Sequence, residues 1–430
     1  MTFSKRRSFM KLRKGRAFGA IAVIASIVVC GYSCGSSHIV GRIDSDTEQP
    51  SVTEDTTAVS EETTDETVPV EDKRVHVTAA GDNLIHYSVY KNAEEYAGGN
   101  GYDFTPMYSE VKYLFQEADL AIINQETIIS QSNPIRGADG GQLIFNSPPQ
   151  VADAVIDMGF DVITMANNHL LDMGTSGLEE SINFWNQKAK EHDLTVLGAY
   201  LNEEDANNIR VREVNGVKIA FLAYAHHING FESLLDDVPL RVIMNEEEDV
   251  IERQIKEAKE LADVVIVSAH WGEDDTTVVT EDRIELANKM INWGADVILG
   301  SHTHTAETME WITRDDGTKG FVYYCMGNFI CAQTDNFNVV GELPDFDIVI
   351  DGETNQLSLE NVGCIPTIIH YESNFSNMKV YPYSKYSPEL AERHGLPYAV
   401  PQGTYTDFGW DVINRIIDEQ IPAEFRKLDK

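Results

Sequence analysis

Lysine and arginine are scarce in this chain. They number 33 against 70 Asp and Glu, so the 430 residues carry a formal charge of −37. A surface of that sign repels phosphate backbones, which argues against a nucleic-acid partner, and it attracts cations, divalent metals included. Cysteine is scarcer still, five in all, with no Cys-x-x-Cys and no Cys/His zinc spacing. Beyond Cys30 and Cys34 near the N-terminus, Cys325, Cys331 and Cys364 remain and are read as small buried hydrophobes. Gly-X-Y repeats and sustained heptads are absent, which excludes collagen-like and coiled-coil chains. What is present, 42% hydrophobic and 24% charged residues, is the composition of a globular protein.

The chain has one long apolar run, Ala17 to Val29, and it follows seven basic residues within positions 1–16. A basic stretch ahead of an apolar one is the layout of an export signal. Extended to Cys34 the run reaches about 18 residues, marginal for a bilayer span. Two outcomes stay open: a retained anchor with its positive end inside, or cleavage before Cys30 or Cys34 with lipidation of that cysteine. Both predict an exported protein held at the outer face of the cytoplasmic membrane. Residues 35–72 are rich in Ser, Thr and Glu, with eleven acids and no base from Asp44 to Asp72. Such a segment buries too little surface to offset its chain entropy and reads as an acidic, disordered tether. The expected organisation is a signal or anchor over 1–34, a linker over 35–72, a globular domain over 73–366 and a Tyr- and Pro-rich C-terminal extension over 367–430.

From residue 75 short apolar runs alternate with amphipathic stretches. Strands are predicted at Val75–Ala80, Ala118–Asn124, Asp161–Ala166, Asp263–Ala269 and Asp296–Leu299. Helices are predicted at Val151–Met158, Gly177–His192, Glu247–Leu261 and Ile284–Trp293. Asn215-Gly216 marks a hairpin between Arg210–Val214 and Val217–Ala225, a second surrounds Asp315-Asp316-Gly317, and residues 345–365 hold a further strand pair. This alternation argues for an α/β fold with added antiparallel strands.

Five predicted strands end in groups that bind metals or move protons. Val75–Ala80 runs into Gly81-Asp82 and on to His86. Asn124 is followed by Gln125-Glu126, and Ala166 by Asn167-Asn168-His169 and then Asp172. Ala269 leads to His270-Trp271-Gly272-Glu273, and Leu299 to Gly300-Ser301-His302-Thr303-His304. Ligands of open α/β sheets bind outside the carboxyl ends of strands, so five such endings argue for one shared site. Imidazole and carboxylate without thiolate suit Zn, Fe, Mn or Co. His302 and His304, read as alternate residues of an extended segment, would face one side and reach two adjacent metals. A two-metal site can clamp the attacking and leaving oxygens of phosphoryl hydrolysis. His226 and His227 follow a hairpin strand and are read as loop residues, and His76, His192, His370 and His394 as incidental.

The segments AAGDNLIH, INQE, MANNHLLDMG, SAHWGED, GSHTHT and YYCMGNFI, in this order across residues 75–333, resemble the poly-γ-glutamate capsule biosynthesis family CapA. That family in turn resembles the calcineurin-like metallophosphoesterases, which implies a four-layer α/β/β/α sandwich. The likeness implies that Asp82 and His304 bind one divalent metal, that Asn168, His270 and His302 bind a second, and that Glu126 stands where a bridging Asp is usual. His86 lies four residues after Asp82, a departure from the Asp-x-His of the phosphoesterases, and is a further candidate metal ligand. His169 would be the general acid or a transition-state donor, with Asp172 and Glu273 as further catalytic candidates. The resemblance implies one or two Mn, Zn or Fe ions and a hydrolase acting on a phosphoester or on a γ-glutamyl or amide bond of an anionic exopolymer. The second reading is a non-catalytic polymer-binding or assembly subunit beside capsule synthesis and export proteins.

Overall fold

The computed structural model describes residues 70–430. The expected signal segment and nearly all of the expected linker lie outside the described residues. Among the described residues, no helix is long and apolar enough to cross a membrane.

In chain order the strands are β1 (Lys73–Asn83), β2 (Leu120–Asn124), β3 (Arg136–Gly137), β4 (Phe145–Asn146), β5 (Val162–Thr164) and β6 (Thr195–Leu197). There follow β7 (Arg210–Val214), β8 (Val217–Ala225), β9 (Val264–Trp271), β10 (Val297–His302), β11 (Met309–Thr313) and β12 (Lys319–Tyr323). The last are β13 (Asn328–Ile330), β14 (Val340–Ile350), β15 (Leu357–His370) and β16 (Lys379–Pro382). Of the helices, α1 (Tyr87–Tyr96), α2 (Thr105–Tyr108), α3 (Lys112–Gln116), α4 (Gln150–Met158) and α5 (Gly174–His192) precede α6 (Glu203–Asn207) and α7 (Glu248–Leu261). Then come α8 (Glu281–Trp293), α9 (Pro388–Arg393) and α10 (Trp410–Gln420).

These strands form two mixed sheets. One runs β16-β15-β14-β1-β2-β5-β6, with β13 also paired to β1, and the other β11-β12-β10-β9-β8-β7. In each the central strands are parallel: β1-β2-β5-β6 in the first, β8-β9-β10-β12 in the second. Every residue of β2, β9 and β10 is buried. Parallel strands covered on both faces need such unbroken apolar runs, which is why these segments read as strands from sequence. The sheets pack face to face, and Ser268 Oγ of β9 meets Thr164 Oγ1 of β5 across the gap at 3.3 Å. Helices α7 and α8 pack on the second sheet, while α5 lies against β6 and α3 against β1. The layering is helix, sheet, sheet, helix, as the family resemblance implies.

The C-terminal region departs from the expected extension. The boundary at 366/367 falls inside β15, and β16 then pairs with β15 as an edge strand of the first sheet. Helix α10 packs on β14, burying Ile413 and Ile417, and the Lys427 N–H donates to the Cys364 carbonyl. Residues 367–430 therefore finish the first sheet. Cys325, Cys331 and Cys364 are buried free thiols.

Candidate metal centre

Both sheets aim the carboxyl ends of their parallel strands at one place. Asp82 closes β1, fully buried, where Gly81 lets the chain pass Gly327: a Cβ at Gly81 would sit 1.9 Å from the Gly327 carbonyl oxygen. Asp82 Oδ1 accepts from Asn124 Nδ2 (2.7 Å), and Oδ2 lies 3.1 Å from His304 Nδ1. Glu126, two residues past β2, is also fully buried, and neither of its carboxylate oxygens has a hydrogen-bond partner. His304 Nε2 faces it at 3.8 Å. One donor atom each from Asp82, Glu126 and His304 lie within 4.8 Å of one another.

Two buried carboxylates side by side are unfavourable unless something positive sits between them. Burial and the Asp82 charge push the Glu126 carboxyl well above the usual carboxylate range. Burial alone would push His304 down, yet Glu126 and Asp82 hold a proton on it and raise it to about 10. Protons here do what a divalent cation would do, and cation binding releases such protons. Unpartnered buried oxygens, an imidazole and no thiolate are the donor set of such an ion. The residues present fit it.

The remaining expected ligands lie alongside. His270 Nε2 is 3.0 Å from Asn168 Oδ1, and its Nδ1 is 2.9 Å from Ser301 Oγ. The His302 ring stands 4.7 Å from that of His270 and 6.2 Å from that of His304, centre to centre. Burial and neighbouring imidazoles push both His270 and His302 well below the ordinary histidine value, so both are neutral, as ligands must be. Asn168 and His270 come from different sheets, so the site spans the sandwich.

The His302-Thr303-His304 turn is not the extended segment predicted. β10 ends at His302, and His302 and His304 adopt φ of +104° and +60°, a region that residues with a Cβ rarely enter. Such strain persists only where surroundings over-determine it. Here the Arg283 guanidinium grips Glu307 in a buried two-pronged pair (2.7 and 2.9 Å). The Asp275 N–H donates to the Thr303 carbonyl (3.0 Å). Gly272 (φ +107°) permits this packing, since a Cβ there would lie 2.7 Å from Thr303 Cγ2.

His169 follows β5 and is buried. Its Nδ1 lies 2.9 Å from Asp172 Oδ2, which also accepts from the Phe145 N–H (2.7 Å), and its ring stands edge-on to Phe145. With Nδ1 committed to Asp172, the other ring nitrogen is left for chemistry.

Three expectations are corrected. His86 is not among the clustered donors: its Nδ1 accepts the Ala332 N–H (3.2 Å), its ring packs on Phe145, and burial drives it down to about 3. The four-residue offset from Asp82 carries it past the strand end into the turn before α1. Glu273 is exposed and joins nothing in the cluster; its neighbour Asp274 is the carboxylate that reaches in, with Oδ1 3.6 Å from His302 Nδ1 and 3.8 Å from His304 Nε2. His227, read as a loop residue, puts Nε2 3.2 Å from His302 Nε2. The signal for it was present, because His226-His227 follows β8, the sheet neighbour of β9, and so sits at a strand end like the others. Beside the cluster lies a cavity of about 540 Å³, lined by His86, Asp139, Leu143, Asp275, Phe375 and Val400 among others, with no Lys or Arg.

A family model described as bacterial capsule synthesis protein PGA_cap matches residues 76–333. The capsule biosynthesis protein CapA of Bacillus anthracis is 29% identical over 269 residues, covering 61% of this chain and 61% of its own length. The PGA biosynthesis protein CapA of Bacillus subtilis (strain 168) is 28% identical over 228 residues, covering 53% and 57%. This chain thus spans about three-fifths of the length of these two relatives. The calcineurin-like phosphoesterase YfkN of Bacillus subtilis aligns over 81% of this chain and 97% of its own, at 12% identity and a TM-score of 0.37.

Proposed function

The chain belongs to the bacterial capsule synthesis protein family PGA_cap, and from that premise we propose that it is a divalent-metal-dependent hydrolase of capsule polymer metabolism. The bond cut is a phosphoester or a γ-glutamyl amide. The protein works at the outer face of the cytoplasmic membrane, held there by its N-terminal segment, beside proteins of capsule synthesis and export. The observation that carries this reading is Glu126, buried without a hydrogen-bond partner between Asp82 and His304.

Asp82, Glu126 and His304 would hold one cation, and Asn168, His270 and His302 are the donors nearest a second. When bound, Mn, Zn or Fe supplies Lewis-acid polarisation of the electrophilic centre and activation of water. The chain's own residues do the rest. Asp172 fixes the His169 ring, so that its free nitrogen holds the proton the leaving group needs. The two sheets bury the cluster, and the low dielectric there strengthens each charge interaction. The adjoining cavity has no basic lining, so an anionic polymer would be held through the cation rather than through lysine or arginine.

The test uses the full chain in detergent, stripped with chelator and reloaded with Mn, Zn or Fe. Hydrolysis of bis(p-nitrophenyl) phosphate or of a γ-glutamyl polymer should follow the metal and vanish in His304→Ala and Glu126→Gln. Metal retention without turnover on either substrate class would overturn the hydrolase and favour the binding or assembly subunit.

A further inference from the structure

We propose that Asp274 is a metal ligand of this site, the carboxylate that joins its two halves by reaching the cation at His304 and the donor nitrogen of His302. This rests on reading the cluster as a metal centre. The resemblance to phosphoesterases places nothing at this position and puts the bridging carboxylate at Glu126.

The argument starts from distances. Donors that share one ion at about 2.0–2.2 Å stand roughly 3–4 Å apart, whereas hydrogen-bonded N and O atoms stand at about 2.7–3.2 Å. Three successive gaps cross the site: Glu126 Oε1 to His304 Nε2 is 3.8 Å, His304 Nε2 to Asp274 Oδ1 is 3.8 Å, and Asp274 Oδ1 to His302 Nδ1 is 3.6 Å. All three are too long for hydrogen bonds, and each is the spacing of two donors that share an ion, so the Asp274 oxygen stands within reach of both halves of the site. Two of the groups involved are buried and unpartnered, Glu126 through both oxygens and His302 through Nδ1. The orphaned Nδ1 of His302, a residue only 1% exposed, faces a carboxylate it does not bond, and a shared cation would explain that.

The placement of Asp274 is also built rather than incidental. The next residue, Asp275, donates its N–H to the Thr303 carbonyl, and its carboxylate accepts from Asn338 Nδ2 (2.9 Å). Asn338 Nδ2 contacts the His304 carbonyl as well. The turn bearing Asp274 is therefore pinned to the turn bearing both histidines. Asp274 itself is half exposed, so it closes the site from the solvent side.

The experiment loads the full chain with Mn(II) and reads metal content by elemental analysis and spin coupling by electron paramagnetic resonance. Wild type should hold about two ions per chain with an exchange-coupled spectrum. Asp274→Asn should lose that coupling and bind Mn(II) at least about tenfold more weakly, Asp274→Glu should recover part of it, and Glu273→Gln should match wild type. Since Asp274 lies at the surface, circular dichroism of the variant should be unchanged. Coupling and affinity retained in Asp274→Asn would overturn the proposal while leaving the Asp82, Glu126 and His304 centre standing. No Mn(II) bound by wild type, with Glu126→Gln indistinguishable from it, would instead overturn the metal reading itself.

Discussion

Replacing Glu307 by leucine strands the Arg283 guanidinium in the protein interior. Both members of the pair are at most 2% exposed, and the two hydrogen bonds between them, 2.7 and 2.9 Å, satisfy a charge that water cannot reach. The one other contact of that end of Arg283 is the Val278 carbonyl (3.0 Å), which neutralises nothing. Removing one partner of such a buried pair destabilises by about 3–5 kcal/mol. At about 2.1 cal/mol/K of unfolding entropy per residue, the roughly 360 described residues give a drop in Tm of about 4–7 °C. The double variant Arg283→Met/Glu307→Leu replaces the pair by apolar groups of similar size, and most of the loss should return, since such replacements are often neutral. Metal affinity should not return with it, because Arg283 packs beside Thr303 against Gly272 and so steadies the strained turn between His302 and His304. Calorimetry of the metal-free proteins and Mn(II) titration of each read the two effects separately. A Glu307→Leu protein melting within about 1 °C of wild type, or a double variant no more stable than the single, would refute the reasoning.

Two further outcomes are expected. Glu126→Gln should abolish metal retention, because an amide cannot supply the carboxylate that the cation needs; a folded variant that keeps Mn(II) through gel filtration would contradict this. Burial holds His370 down to about 4 and His394 down to about 3, so both are neutral when folded. The unfolded chain takes up those protons first, near pH 6.5, so stability is lost as pH falls from there toward the folded values, by up to about 1.4 kcal/mol per pH unit for each histidine. Urea melts of His394→Gln should show a shallower loss between pH 6.5 and 4.5, and an unchanged slope would count against the assignment.

Much of the site was legible because its residues stand at strand ends. Asp82, Glu126, Asn168, His169, His270 and His302 each follow an apolar run that is unmistakable as a strand, and parallel strands deliver their carboxyl ends to one edge. His227 obeys the same rule but was hidden by the hairpin preceding it, because β8 pairs antiparallel with β7 and parallel with β9. The C-terminal region gave no periodic signal: β16 has four residues, and what makes it a strand is the hydrogen bonding of β15 beside it.

The sequence by itself determined the charge, the alternation of strands and helices, the family motifs and the residues placed at strand ends, since all of these depend on residue type and local spacing. Only the tertiary structure decided which of two adjacent acids, Glu273 or Asp274, turns inward, that His86 is tied to a backbone N–H outside the cluster, and that Arg283 braces Glu307 from 24 residues away. The physical reason is that a side chain's direction in a turn is set by backbone angles such as those of Gly272 and His302. Those angles are imposed by packing between segments distant in the chain, not by the residues of the turn alone.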